Sequence, residues 1–294
     1  DYYVRFKSDA PGIPGAGSWE ETTARNIPNQ INSSTMPFAL VRREDGNFTF
    51  DPLDDSDAFG GWASRDVGDE ETNPAPSFVG RGISGMFFYQ NRLGLLSEDA
   101  VVMSQPGDYF NFWSISALAI SDADPIDMTA ASTKPAFLKY AMGVTKGLLL
   151  FAENNQFLLS ADGLVFSPNT VRMNEISDYN FRGSTSPVPM GLSIGFVTEA
   201  DTYSKVFEMV VESADNRPQV AEITRAVPEY LPTGLVWSGA SPNNSFAIWG
   251  DGSNKAYIFK FFNQGNERQL AGWSSWTLPA DIKICLLYTS DAAD

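Results

Sequence analysis

One recurrence limits what this chain can fold into: short apolar runs in pairs, each pair joined by a few turn-forming residues. "GMFFYQNRLGLLS" is followed by Glu98-Asp99 and then "AVVMS", a strand meander. "GLLLFA" and "QFLLS" flank "ENN" from Glu153 to Asn155. "LSIGFVTEADTYSKVFEMVVES" turns between Glu199 and Ser204, and "SFAIWGDGSNKAYIFKFF" turns at "GDGSN", whose glycines supply the positive φ that a tight turn needs. The pairs begin near Gly85, Gly147, Gly191 and Ser245, a spacing of about 45 to 60 residues, close to the ~40–50-residue period of propeller blades. The expected fold is all-β: propeller-like blades of antiparallel hairpins with a smaller N-terminal β subdomain. The units share little sequence, so a sandwich of the same hairpins is the alternative. One segment departs from the pattern. In "PQVAEITRAVPEYLP", Val220, Ile223, Val227 and Tyr230 have helical spacing and Pro228 interrupts them, which predicts one or two short helical turns.

Composition sets further limits. The chain has 294 residues, 43% of them hydrophobic, enough for a sizeable core. Lys and Arg number 20 against 36 Asp and Glu, a formal charge of −16, and such a surface repels phosphate backbones. A conduit along which DNA slides without sticking remains compatible with that sign. There is no histidine, which removes the commonest general base, the usual Ser and Cys catalytic dyads and most zinc sites. The single cysteine, Cys285, has no internal disulfide partner. No apolar run approaches the ~20 residues of a membrane span. Residues 1–78 read as a β-rich subdomain with acidic and Gly/Pro-rich loops, and residues 79–284 as a partial propeller-like domain. Residues 285–294, "CLLYTSDAAD", read as a translated adapter or vector sequence, so both ends are expected to be truncated.

Four clusters invite a chemical reading. "GDYFNFW", Gly107–Trp113, sets four aromatics behind Asp108. It fits either a sugar platform with an acid or a core strand. Alternation places Phe110 and Phe112 on one face and Tyr109, Asn111 and Trp113 on the other, which favours the strand and makes Asp108 a turn residue. The acidic run Asp51, Asp54, Asp55, Asp57 fails the calcium-loop pattern, because Leu53 stands third from Asp51 and Phe59 fifth from Asp55. Asp66, Asp69, Glu70 and Glu71 include pairs of the kind that hydrolyse glycosidic bonds, but in a chain with 36 acids such pairs arise by chance. Trp273 and Trp276, three apart in an extended segment, point to opposite faces, so only one is expected at the surface. No phosphate-binding loop, dinucleotide fingerprint, nucleophile elbow or zinc-protease motif occurs. No catalytic, cofactor-binding or metal-binding residue is expected, and the chain reads as a non-enzyme.

Ordered blocks carry a resemblance. "TMPFALVRREDGNFTF", "WASRDVGDEETNPAPSFVG", "FFYQNRLGLLSEDAVVMSQPGDYFNFW" and "DPID", followed by "EITRAVPEYLP" and "NERQLAGWSSWTL", resemble in order the tail tubular protein B, or nozzle protein, family of short-tailed bacteriophages. The resemblance covers residues 2–283, with Trp62 to Asp127 the most specific part. Phe38 stands where the family has His. The resemblance implies a structural virion protein without a cofactor, assembled in the bacterial host cytoplasm. Its copies would form a hexameric ring below the portal and adaptor rings. That ring extends the DNA-ejection channel and helps dock tail fibres, and its subunit is built on a propeller-like body with inserted β domains. The alternative is a tail-associated protein that binds or degrades polysaccharide at the host surface.

Overall fold

The computed structural model describes residues 2–10, 15–53, 60–163, 165–211, 218–264 and 267–284. Asp54, Asp55, Asp57 and Phe59 of the acidic run, and Cys285 with the tail to Asp294, lie outside the described residues. The all-β expectation is borne out: the regular structure among the described residues is twenty strands and one 3₁₀ turn at Ser33–Thr35, capped by the Asn32 side chain.

Two hairpins come first. β1 (Val4–Ser8) pairs with β2 (Gly17–Glu21), and β3 (Phe38–Arg42) with β4 (Phe48–Pro52). Phe38 is partly exposed on β3, its ring 5.4 Å from that of Phe50 across the hairpin. Four sheets of four antiparallel strands follow, and in each the spatial order is the chain order. The first holds β5 (Ile83–Tyr89), β6 (Arg92–Ser97), β7 (Ala100–Met103) and β8 (Ile126–Thr129). The second holds β9 (Leu138–Val144), β10 (Gly147–Ala152), β11 (Gln156–Ala161) and β12 (Val171–Ser177). The third holds β13 (Val188–Pro189), β14 (Ile194–Glu199), β15 (Ser204–Val210) and β16 (Gln219–Glu222). The fourth holds β17 (Trp237–Ser241), β18 (Phe246–Gly250), β19 (Lys255–Gln264) and β20 (Glu267–Thr277). The hairpins expected from sequence are β5 to β7, β10–β11, β14–β15 and β18–β19.

Local chemistry explains the turns. Gln90 and Asn91 both take positive φ (49° and 57°), the geometry of the two-residue hairpin turn whose twist matches its strands. At the β18–β19 turn, Gly252 has φ 79° and the Asp251 carboxylate accepts from Ser253 N at 2.9 Å. The first and fourth of these sheets share a packing device. Phe87 faces Gly94 across β5–β6, and a Cβ on Gly94 would sit 2.0 Å from the Phe87 ring. Trp237 faces Gly250 across β17–β18, and a Cβ there would sit 2.2 Å from the indole. In both, an aromatic ring lies over the glycine's missing side chain.

The chain divides into two compact units, Asp1–Ala130 with Leu159–Met173, and Ala131–Leu158 with Asn174–Asp294. The core of the first gathers Phe78, Leu95, Val102, Phe112 and Trp113. The second has one core around Phe151, Phe196 and Met209 and another around Val197, Val206, Trp249 and Phe259. Each such side chain contributes about 1.5–3 kcal/mol by leaving water. β7 and β10 are buried at every position. Alternation is absent there because both faces of the strand are covered.

The expected helical turns near residue 220 are not helix. Gln219–Glu222 is β16, paired with β15. Two single turns follow, closed by Val227 N to Thr224 O at 2.9 Å and Tyr230 N to Val227 O at 3.3 Å. The apolar spacing serves two cores: Val220 packs beside Phe151 and Phe196, while Ile223 and Tyr230 pack beside Trp249.

Candidate functional site

The block Gly107–Trp113 follows β7 and is a folded loop, not a strand, which corrects the alternation reading. Gly107 takes φ 79°, Gly107 N donates to Asn91 O at 2.8 Å, and Asn111 N donates to Asp108 O at 3.3 Å. Asp108 is an exposed turn residue, as expected, and its carboxylate accepts from Asn111 Nδ2 at 3.0 Å. Phe112 and Trp113 are consecutive yet both buried, which a strand with one core face does not permit. The loop manages this by closing on its own backbone: Gln105 Nε2 donates to Trp113 O at 2.8 Å and Trp113 N donates to Asn111 Oδ1 at 3.1 Å. The aromatics are spent on separate contacts. Phe112 meets Phe78 edge-on at 5.1 Å, Phe110 meets Trp62 at 5.3 Å, and Tyr109 meets Phe88 at 4.7 Å while donating to Asn91 Oδ1 at 2.8 Å. These rings build a core and its rim.

The carboxylates of the Asp66–Glu71 cluster are brought to the same place but do different work. Asp69 Oδ1 accepts from Glu71 N, Thr72 N and Thr72 Oγ1, each at 3.0 Å, closing the turn that follows Gly68. The hydrogen bond from Thr72 N leads the causes that hold its carboxyl down at about 2. Glu70 accepts from Arg65 Nη1 at 2.9 Å, and the Arg65 side chain is fully buried, its guanidinium 4.5 Å above the Trp113 ring. Asp66 accepts from Ser64 Oγ at 3.1 Å, and Glu71 is exposed. Asn73 joins this segment to the aromatic loop, accepting from Ser114 N at 3.0 Å and donating to Val67 O at 3.0 Å. Trp113 Nε1 donates to Ala63 O at 2.9 Å. The two most specific sequence blocks therefore fold against each other as one structural unit.

Sequence reasoning missed the charged groups buried in that unit. Arg92, on β6, donates to three main-chain carbonyls: Ser104 and Asp124 at 2.7 Å each and Asp122 at 2.9 Å. Burial pushes its pKa down. The buried Asp124 carboxylate accepts from Ile115 N at 2.8 Å and Ser121 N at 2.7 Å, and Asp127 Oδ2 accepts from Ser77 N at 2.8 Å. The available signal was a cation inside an otherwise apolar strand, "NRLGLLS".

In the second unit, Trp273 packs beside Trp249 and Phe259 with ring centroids 5.6 and 5.1 Å away, and its Nε1 donates to Ile223 O at 3.0 Å. Trp276 is 53% exposed, so the two rings part as their spacing requires. Arg268 grips Glu208 with two hydrogen bonds, at 2.5 and 2.6 Å. Among the described residues no group of three or more acidic or Cys side chains is placed to hold a metal. No helix among them is long and apolar enough to cross a membrane.

Comparison with known proteins agrees with the ordered blocks. The chain is 32% identical over 295 residues to the tail tubular protein gp12 of Escherichia phage T7, a match that takes in 99% of this chain and 35% of that protein. The chain thus spans about a third of the length of the curated relative it matches. The family model described as bacteriophage nozzle protein matches residues 1–291. This chain belongs to the bacteriophage nozzle protein family.

Proposed function

We propose that the protein is a structural, non-enzymatic subunit of a phage tail nozzle. Copies associate into a hexameric ring that extends the channel through which DNA leaves the particle. The ring seats against an adaptor ring and helps dock the tail fibres. Its place is the virion, after assembly in the host cytoplasm. Family membership over nearly the whole chain carries this reading.

The fold supports it. Four successive four-stranded meanders, with β7 and β10 buried throughout, suit blades of a propeller-like body packed face to face. Residues 1–78, with their two-stranded hairpins, are read as the smaller N-terminal subdomain. The net charge of −16 suits a conduit, because attraction to phosphates would act as friction on moving DNA. The polysaccharide-directed reading gains no support from the carboxylates, since Asp69 and Glu70 are engaged in holding their own loop. The test is to make the full-length protein that contains this chain together with its adaptor protein and view it by negative-stain electron microscopy. Rings with a central opening are expected. Dispersed monomers in the presence of the adaptor would overturn the reading.

A further inference from the structure

The Arg65 side chain is 0% exposed, yet only one corner of its guanidinium is used. Nη1 donates to Glu70 Oε1 at 2.9 Å, and the Trp113 ring covers one face, its centroid 4.5 Å from Cζ. Nε and Nη2 are buried and have no hydrogen-bond partner among the described residues. These two N–H groups lie on the same edge of the planar fork, the edge that grips an anion with two parallel bonds. Among the described residues five buried side-chain polar atoms lack a partner. Three of them lie in the short segment from Trp62 to Arg65, and all three are donors: Arg65 Nε, Arg65 Nη2 and Trp62 Nε1. A buried donor left unpaired costs free energy, so native proteins rarely leave two on one charged group. Arg92 shows the contrast, since its guanidinium donates to three carbonyls.

What completes the fork is an acceptor small enough for an enclosed place. Water fits poorly: it accepts from the two N–H groups but then has two protons of its own to place. Arg65 stands on Trp113, part of a core with Ile31, Met36, Phe78 and Phe112, whose side chains offer no oxygen. Charge points the same way. Glu70 compensates Arg65 from a side chain 54% exposed, where water screens the pair. The buried edge keeps a positive field that nothing on its own side balances. We infer that this edge of Arg65 binds a monatomic anion, a halide such as chloride, held by Nε–H and Nη2–H. A chain of −16 repels anions in general, so a bound one needs a fixed, buried cation of this kind. The ion ties the segment from Trp62 to Glu70 to the aromatic loop, because the guanidinium it fixes lies on Trp113.

Bromide tests the site on the full-length protein that contains this chain. Crystals grown in bromide are expected to show an anomalous peak at hydrogen-bond distance from both Arg65 Nε and Arg65 Nη2. A water at that place, or a protein oxygen filling the edge, overturns the inference. In solution, replacing sodium gluconate with sodium chloride or bromide at one ionic strength should raise the melting midpoint saturably, by about 1–3 °C. Arg65→Met should lose that halide response. Glu70→Gln should strengthen it, because the competing carboxylate charge is gone. Variants that melt lower while all three proteins respond to halide alike would show Arg65 acting by packing alone and would overturn the site. If Arg65→Met does not fold, the bromide map and the Glu70→Gln response decide the matter. Ring assembly does not enter either readout, so a negative result here leaves the proposed function standing.

Discussion

Arg92 Nη1 donates to the main-chain carbonyl of Asp124 at 2.7 Å, and the Asp124 carboxylate in turn accepts from Ile115 N at 2.8 Å. One cation on β6 therefore sets the path of a loop thirty-two residues further along the chain. Replacing Arg92 with Met leaves the carbonyls of Ser104, Asp122 and Asp124 without their donor. The expected loss is about 3–5 kcal/mol, read by urea denaturation. Lys is not expected to rescue it, since a single ammonium does not reproduce the planar fork that reaches three carbonyls.

Asp69 gives the fold an acid-sensitive turn. Its carboxyl lies below the ordinary 3.8, at about 2, chiefly through the hydrogen bond from Thr72 N. A depressed folded-state pKa contributes stability that is present above the unfolded value and is lost as pH falls through the folded value. The contribution should therefore fade between pH 3.8 and about 2. Asp69→Asn keeps an accepting oxygen but removes the charge. Urea midpoints of the two proteins should differ at pH 6 and converge as pH drops through that window; a constant difference would contradict the assignment.

Gly94 is irreplaceable for a reason of space, not of backbone freedom. A Cβ would meet three Phe87 ring atoms at 2.0, 2.3 and 2.5 Å, so Gly94→Ala must drive the ring off the strand. A loss of about 1–3 kcal/mol is expected by thermal or urea unfolding. Gly82, whose Cβ would meet nothing within 4 Å, is the control and should be near neutral as Ala.

Within "GDYFNFW" the ring and the acid should separate cleanly. Phe112→Ala removes a 4% exposed ring packed on Phe78 and is expected to cost about 3–5 kcal/mol. Asp108→Asn alters an exposed turn residue and should stay within about 0.5 kcal/mol, with assembly unchanged. The reverse pattern would return Asp108 to consideration as a functional acid.

The sequence displayed the inner hairpins because they are buried. β10 and β14 are near-continuous apolar runs, and the turns beside β6 and β18 carry the residues that tight turns demand. The flanking strands were illegible for the same reason in reverse: β12 beyond its buried Val171, β16 and β20 are exposed or half-exposed and carry mixed polar sequence. Alternation misled at Gly107–Trp113 because side-chain hydrogen bonds from Gln105 and Asn111 replaced the ladder. The buried Arg65 and Arg92 were invisible because their partners, Glu70 apart, are an indole ring and distant carbonyls that local patterning does not encode.

Cryo-electron microscopy of the assembled full-length protein tests the central claim most directly. The account predicts a closed ring of identical subunits around an open channel, in each of which the four meander sheets radiate as successive blades. A map in which the protein stays monomeric beside its adaptor, or in which the four sheets pack as a two-layer sandwich, would contradict it.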